Sequence, residues 1–272
     1  MTRVDEVPVL TNATAESMLP VALPLGVQAT VFSAPSSGVV VEVPSRRPVL
    51  SPQFEPRAEA ELRSTLRDVA GALPGARRGV VAVEEFRGPW GVPDLAALSP
   101  ARMQQRLAAQ VPPLLSAHDC RLVVSAARWT EPAELGARAG VSSGQVLRYV
   151  RRLVRLGALI EEGGRVRRAP GMVTMGHLWA LEAKVDDWQG GLSQAHRYRL
   201  WADGAVLVLG RARVGVDVLA EQARLYRVGL VVGGRWVVRP RVVLTDDATR
   251  LHASEHMLAA LIGADQQPAA SA

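Results

Sequence analysis

Leu178 to Tyr198 reads LWALEAKVDDWQGGLSQAHRY, and its periodicity changes half-way. The first part, 178–185, is apolar apart from Glu182 and Lys184. A strand there puts those two charges, two residues apart, on one face. Asp186-Asp187 then supplies a helix N-cap, and 188–201 is predicted as a helix. Gln194 and Tyr198 are four apart and share a face of that helix. Ala205 to Leu209 is wholly apolar, which predicts a strand in the middle of a sheet. Strand, helix and central strand in this order predict an α/β fold.

Lys184 is the chain's only lysine; the other 31 of its 32 Lys and Arg residues are arginine. A compact ammonium and a planar guanidinium are not interchangeable where one water or one phosphate oxygen must be held. The surviving lysine therefore marks a position that needs an ammonium.

Upstream, 55–73 reads as a helix, with Pro56 in its first turn and Leu62, Leu66, Val69 and Leu73 on one face. Strands are predicted at 79–86 and 92–98, joined by the turn Arg87-Gly-Pro-Trp-Gly91, and Pro93-Asp94 opens the second. Between 101 and 170 the pattern changes. Helices are predicted at 102–110, 118–128, 131–138 (Thr130 as N-cap, Pro132 in the first turn) and 143–156. A hairpin over 158–167 follows, turning at Gly163-Gly164. Removing this middle leaves helix, three strands, helix, strand. The predicted organisation is a hairpin arm at 1–50 (strands 27–32 and 39–43), a core in two parts at 51–100 and 171–264, the unit 101–170 inserted between them, and a low-complexity tail at 265–272. The second core part closes with a helix at 216–226, a hairpin at 229–238 and a helix at 251–262.

Adjacent strands lie about 4.8 Å apart, so Asp94 and Glu182 can share a divalent cation. Two carboxylates and a backbone carbonyl suit Mg²⁺ or Mn²⁺. Such a metal acidifies a bound water and stabilises charge on a scissile phosphate, and Lys184 can orient that water or neutralise the developing charge. Pro93-Asp94 with Glu182-Ala183-Lys184 resembles the PD-(D/E)xK nuclease superfamily. Gln194-Ala-His-Arg-Tyr198 is similar to the QxxxY motif of its RecB-like branch. The resemblance covers roughly 55–98 and 175–210. It implies a restriction-endonuclease-like αβββαβ core, Asp94 and Glu182 as metal ligands, Lys184 as the catalytic lysine, and Gln194 and Tyr198 as catalytic-site supports. It also implies an acidic residue on the first helix, Glu59 or Glu61, with Glu61 preferred. The gap between Asp94 and Glu182 is much longer than the usual hairpin, which requires that the inserted unit's ends lie close together.

Three helices followed by a hairpin resemble the winged helices of bacterial regulators such as the MarR-like group, over about 112–170. That implies a third helix in the major groove of DNA. Ser142, Ser143 and Gln145 stand at its start for base contacts; Arg148, Arg151, Arg152 and Arg155 form a basic stripe; Arg165, Arg167 and Arg168 on the wing are offered to phosphates. Residues 142–170 hold seven arginines against two glutamates, a local charge of +5.

The formal net charge of +6 and a pI near 10.5 favour a polyanionic partner. Cys120, the single cysteine, excludes an internal disulfide and a cysteine zinc site, and reads as a buried small apolar residue in a reducing compartment. His177, His196 and His252 show no ligand spacing. No apolar run approaches about 18 residues and no leader is visible, so a cytoplasmic protein without a membrane partner is expected. The reading is an Mg²⁺- or Mn²⁺-dependent deoxyribonuclease, a hydrolase that binds DNA through its winged helix. The alternative is a non-catalytic DNA-binding protein or transcriptional regulator on a nuclease-like fold. Homodimer and larger complex both stay open.

Overall fold

Gly204–Leu209 is buried at every position, and Gly176–Lys184 at six of its nine. Strands this apolar need cover on both faces. In the computed structural model, which describes residues 30–34, 38–43 and 58–265, they occupy the centre of one mixed α/β sheet. Its eight strands are β1 (Thr30–Ala34), β2 (Gly38–Val43), β3 (Val80–Glu84), β4 (Leu95–Pro100), β7 (Gly176–Lys184), β8 (Gly204–Leu209), β9 (Gly229–Val232) and β10 (Arg235–Val238), in that spatial order. β5 (Leu159–Glu162) and β6 (Arg165–Arg168) form a separate hairpin. Around β7 the β3–β4 and β4–β7 pairings are antiparallel, and β7–β8 and β8–β9 are parallel.

Alternation sorts the two faces. Val80, Ala82, Leu95, Ala97, Trp179, Leu181, Ala183, Val206 and Val208 pack under α1 (Arg63–Gly71), which follows a 3-10 turn at Glu59–Leu62. Ala96, Leu98, Leu178 and Ala180 face the other way, toward Tyr198 of α6 (Trp188–Tyr198) and the last helix, α8 (Asp247–Asp265). Ala205, Leu207 and Leu209 share that face with α6 and α7 (Val216–Tyr226).

The unit between β4 and β7 leaves and rejoins the sheet at one point. Pro100 and Gly176 are register partners, and the amides of Ala101 and Arg102 both donate to the Met175 carbonyl at 2.8 Å. The two outer pieces of chain therefore form one core despite the long gap. The unit contains α2 (Met103–Ala108), α3 (Ala117–Ser125), α4 (Pro132–Ala139), α5 (Ser143–Arg155) and the β5–β6 hairpin. Its core is built on Cys120, Leu122, Leu135, Val146, Val150, Leu153 and Val166. Cys120 is buried as expected; burial pushes its thiol pKa up, and its Sγ lies 3.3 Å from the Leu114 carbonyl.

Three expectations change. The second strand begins at Leu95 rather than residue 92, because Gly91 (φ +87°) and Pro93 keep the approach irregular. Asp94 therefore stands just ahead of the strand. Thr130 does not cap α4: Glu131 holds that position, and Thr130 exchanges two 2.9 Å backbone hydrogen bonds with Val166, an isolated bridge onto the hairpin. In the N-terminal hairpin, β2 pairs in parallel with β3, which joins the arm to the sheet. Residues 27–29, the rest of the 1–50 segment and the tail from 266 lie outside the described residues.

The last helix starts at Asp247, four residues before the expected 251, because Asp246 accepts the amides of Ala248 and Thr249 at its start. It bridges both cores: Leu251 packs with the inserted unit and Ala253, Met257, Leu258 and Leu261 with the sheet. Between them lies Glu255, fully buried. It accepts Arg106 Nε and Nη2 at 2.7 Å each and the Leu114 amide at 2.9 Å. No helix among the described residues is long and apolar enough to cross a membrane.

Candidate active site

β4 and β7 run antiparallel with Leu95 opposite Leu181. One residue outward stand Asp94 and Glu182, on the face shared by Leu178 and Ala180. Asp94 is anchored by the Ala183 amide, which donates to its Oδ2 at 2.7 Å. Its own backbone carbonyl accepts the Glu85 amide at 2.9 Å. Glu182 is almost wholly buried. Its Oε1 lies 3.0 Å from Lys184 Nζ, and its Oε2 lies 3.0 Å from the Tyr198 hydroxyl. That hydroxyl is also 3.1 Å from the Val92 carbonyl. Its single hydrogen is held best by the carboxylate, because charge-assisted hydrogen bonds are the stronger kind.

Lys184 Nζ makes a second ion pair, with Glu59 Oε1 at 3.1 Å. Of the two glutamates weighed for the first helix, Glu59 rather than the preferred Glu61 meets the lysine. Glu59 opens the 3-10 turn ahead of α1. It lines a cleft of about 140 Å³ with Arg63, Glu84, Glu85 and Asp94. Arg63 and Arg67 hold Glu84 in the cleft wall at 3.2 and 2.6 Å. Glu85, with a left-handed φ of +48°, reaches Arg63 at 3.3 Å.

Two glycines let these groups approach. A Cβ at Gly191 would fall 2.7 Å from Lys184 Cγ and 2.6 Å from Leu207, so glycine lets α6 press on the lysine stem. Gly91 combines its positive φ with an approach of 2.9 Å to the Tyr198 ring.

The electrostatics follow from burial. Burial raises the pKa of Asp94 against the lowering pull of the Ala183 amide and Lys184, with Glu59 and Glu85 adding repulsion. Burial also raises Glu182, and the nearby Asp94 charge raises it further. Burial alone would lower Lys184, but the Glu182 and Glu59 carboxylates more than reverse it, so its pKa is raised. Burial and the Glu182 charge push the Tyr198 phenol up. At neutral pH the lysine is an ammonium, able to donate but not to act as a base.

Gln194 lies one turn before Tyr198, and its Oε1 is buried without a hydrogen-bond partner. Asp187 caps α6 as expected, through the Gly190 amide at 3.0 Å. Asp186 instead pairs with Arg211 and Arg213, which hold its carboxyl below the usual range.

Among the described residues, no group of three or more His, Cys, Asp or Glu side chains is arranged to hold a metal. Mg²⁺ needs fewer protein ligands, commonly one or two carboxylates completed by waters and substrate phosphate. Asp94 and Glu182 are two carboxylates of this kind, and a cation beside them would offset the burial that raises both.

On α5, Ser142, Ser143, Gln145, Arg148, Arg151 and Arg155 are exposed. Ser142 Oγ donates to Gln145 Oε1 at 3.1 Å. Arg148, Arg151, Arg155 and, on the hairpin, Arg168 have no side-chain ion pair or hydrogen bond among the described residues. Arg152 departs from the expected stripe: it pairs with buried Asp119 and lies over the Tyr149 ring. Arg165 donates to the Trp129 carbonyl at 3.0 Å, and Arg167 stacks 4.9 Å over the Trp129 ring. Within the chain these three arginines thus meet an acid, a carbonyl and an indole.

Sequence reading missed one constellation. His252 has no ligand spacing with His177 or His196, yet His256 follows it by four on α8 and the two rings meet. The i, i+4 spacing was the available signal.

Compared with known proteins, the chain matches no family model, no curated protein and no solved structure. The functional reading rests on the site's geometry.

Proposed function

We propose that this protein is a metal-dependent DNA nuclease whose core is interrupted by a winged-helix DNA-binding unit. The observation that carries the reading is the only lysine of the chain, held between Glu182 and Glu59 at 3.0 and 3.1 Å beside Asp94. The strand order around it supports a restriction-endonuclease-like core: antiparallel, antiparallel, parallel, with α1 before the first strand and α6 before the last.

Mg²⁺ or Mn²⁺, held by Asp94 and Glu182, would acidify a bound water and stabilise charge on the scissile phosphate. The chain's own groups divide the remaining work. The Ala183 amide aims Asp94, and the Tyr198 hydroxyl aims Glu182. Lys184, protonated, donates to the attacking water or to the phosphate oxygen that gains charge. Glu59 holds the ammonium over the cleft. The Gln194 amide oxygen, buried and unpartnered, is suited to a hydrogen bond that forms only when substrate or water completes the site.

Helices α3, α4 and α5, the β5–β6 hairpin and its bridge to Thr130 support the winged-helix reading. Arg148, Arg151 and Arg155 then face phosphates, with Ser142, Ser143 and Gln145 at the helix start toward base edges.

The test is cleavage of linear, nicked and branched DNA with Mg²⁺ or Mn²⁺, comparing the wild type with Lys184→Ala. Cleavage that vanishes in the variant and under EDTA, with DNA binding retained, supports the reading. DNA binding that is tight in both proteins and insensitive to chelator, with no cleavage of any substrate, would replace it with a non-catalytic DNA-binding protein.

A further inference from the structure

His252 and His256 lie on α8 one turn apart, where three segments converge. Their Nε2 atoms are 3.2 Å apart, and the rings meet edge to face at 4.7 Å. His252 Nε2 is also 3.0 Å from the carbonyl oxygen of Leu115, in the segment entering α3 of the inserted unit. His256 Nδ1 is 3.3 Å from the carbonyl of Arg87, on the loop that leads to Asp94. The Trp90 ring stands edge-on to His252 at 6.5 Å.

Two imidazoles on a tetrahedral Zn²⁺, with bonds of 2.0–2.1 Å, hold their nitrogens about 3.3 Å apart. The Nε2 separation has this value, and the i, i+4 spacing brings both rings to one side of the helix. His256 also has the usual outer support of a metal-bound histidine, a backbone carbonyl facing its other ring nitrogen. The Leu115 carbonyl is a third donor within reach, and His256 is partly exposed, so solvent can complete the coordination from its side.

We propose that His252 and His256 form a binding site for a borderline divalent cation of the Zn²⁺ class at the seam between the inserted unit and the sheet. Imidazole donors select such ions over Mg²⁺, which makes this site chemically distinct from Asp94 and Glu182. The sequence His252-Ala-Ser-Glu-His256 also has the order used by one class of zinc hydrolases. Here Glu255 is buried against Arg106 and cannot serve as a base, so the site binds metal without hydrolysing anything. His252 Nδ1 is buried without a partner, so one ligand lacks its outer support and the metal is exchangeable. Bound, the metal clips the Leu115 segment and α8 together beneath the loop that carries Arg87.

The alternative is a plain hydrogen bond between neutral rings, with the His252 Nε2–H shared between Leu115 and His256. Titration of untagged, full-length protein with Co²⁺ separates the two, in an Asp94→Asn background that weakens the carboxylate site. The expected result is one Co²⁺ per chain with the visible absorption of a tetrahedral ion, displaced by Zn²⁺, and a Zn²⁺-dependent rise in unfolding temperature. His256→Ala and the milder His256→Asn should each weaken Co²⁺ binding at least tenfold while still unfolding cooperatively without metal. If the histidine-intact protein shows no such absorption, the proposal fails whatever the variants do. Equal binding in His256→Asn would overturn it too.

Discussion

Replacing Glu255 by alanine tests the claim that the inserted unit and the sheet are one cooperative body. Glu255 is fully buried and Arg106 nearly so, and three donors converge on the carboxylate: Arg106 Nε, Arg106 Nη2 and the Leu114 amide. The guanidinium keeps the carbonyls of Val111 and Pro112, at 2.9 and 3.3 Å, but loses its counter-charge. Each orphaned buried donor costs about 1–3 kcal/mol. Breaking a buried ion pair by removing one partner costs about 3–5 kcal/mol. For a chain of this size each kcal/mol shifts the melting temperature by about 2–4 °C. Glu255→Ala should therefore melt roughly 6–20 °C below the wild type, in a single transition seen by calorimetry and circular dichroism alike. Arg106→Met with Glu255→Leu should recover only the part of the loss due to the uncompensated charge, because the Leu114 amide and the Val111 and Pro112 carbonyls then lack partners, at about 1–3 kcal/mol for each that water does not reach. A loss below about 1 kcal/mol in Glu255→Ala would refute the reasoning. Two separate transitions would refute the idea that this pair couples the units.

Tyr198→Phe removes one charge-assisted hydrogen bond to Glu182, worth about 1.5–3 kcal/mol. If that bond aims the carboxylate for catalysis, cleavage should fall about ten- to hundredfold with the fold intact, measured as kcat on linear DNA. Asp94 and Glu182 have pKa values raised in the folded state. The stability they contribute is greatest below the ordinary carboxylate range and is lost as pH rises through their raised values. Mg²⁺ should therefore raise the melting temperature at about pH 8 and hardly at about pH 3.5, below both carboxylates' ordinary values; Asp94→Asn should abolish the difference. Replacing Arg148, Arg151 and Arg155 together by alanine should weaken DNA binding uniformly across sequences. The slope of log K against log salt should fall by about 0.9 for each arginine that sat on a phosphate, while Arg152→Ala should instead lower stability by exposing Asp119 to an unpaired burial.

Much of the architecture was legible in the chain because it is written in local periodicity. The all-apolar run Ala205–Leu209 could only be a covered strand, Val146, Val150 and Leu153 could only be one face of a helix, and the paired glycines 163–164 and 233–234 could only turn hairpins. Glu182 and Lys184 were legible for the same reason, since a two-residue spacing on a strand fixes their shared face. What local pattern could not decide is which distant side chains complete the site. Glu59 rather than Glu61 meets Lys184 because a 3-10 turn, not a regular helix, leads into α1. Arg152 leaves the basic stripe to pair with buried Asp119, 33 residues away. Arg106 and Glu255, 149 residues apart, and the meeting of the His252 and His256 rings with Leu115 and Arg87, exist only once the insertion has folded back on the last helix. The sequence by itself determined the elements, the placement of the lysine and the insertion of one unit within another, because each depends on neighbours a few residues apart. Only the tertiary structure decided which charges are buried together, because that depends on contacts between segments whose separation along the chain carries no record of their distance in space.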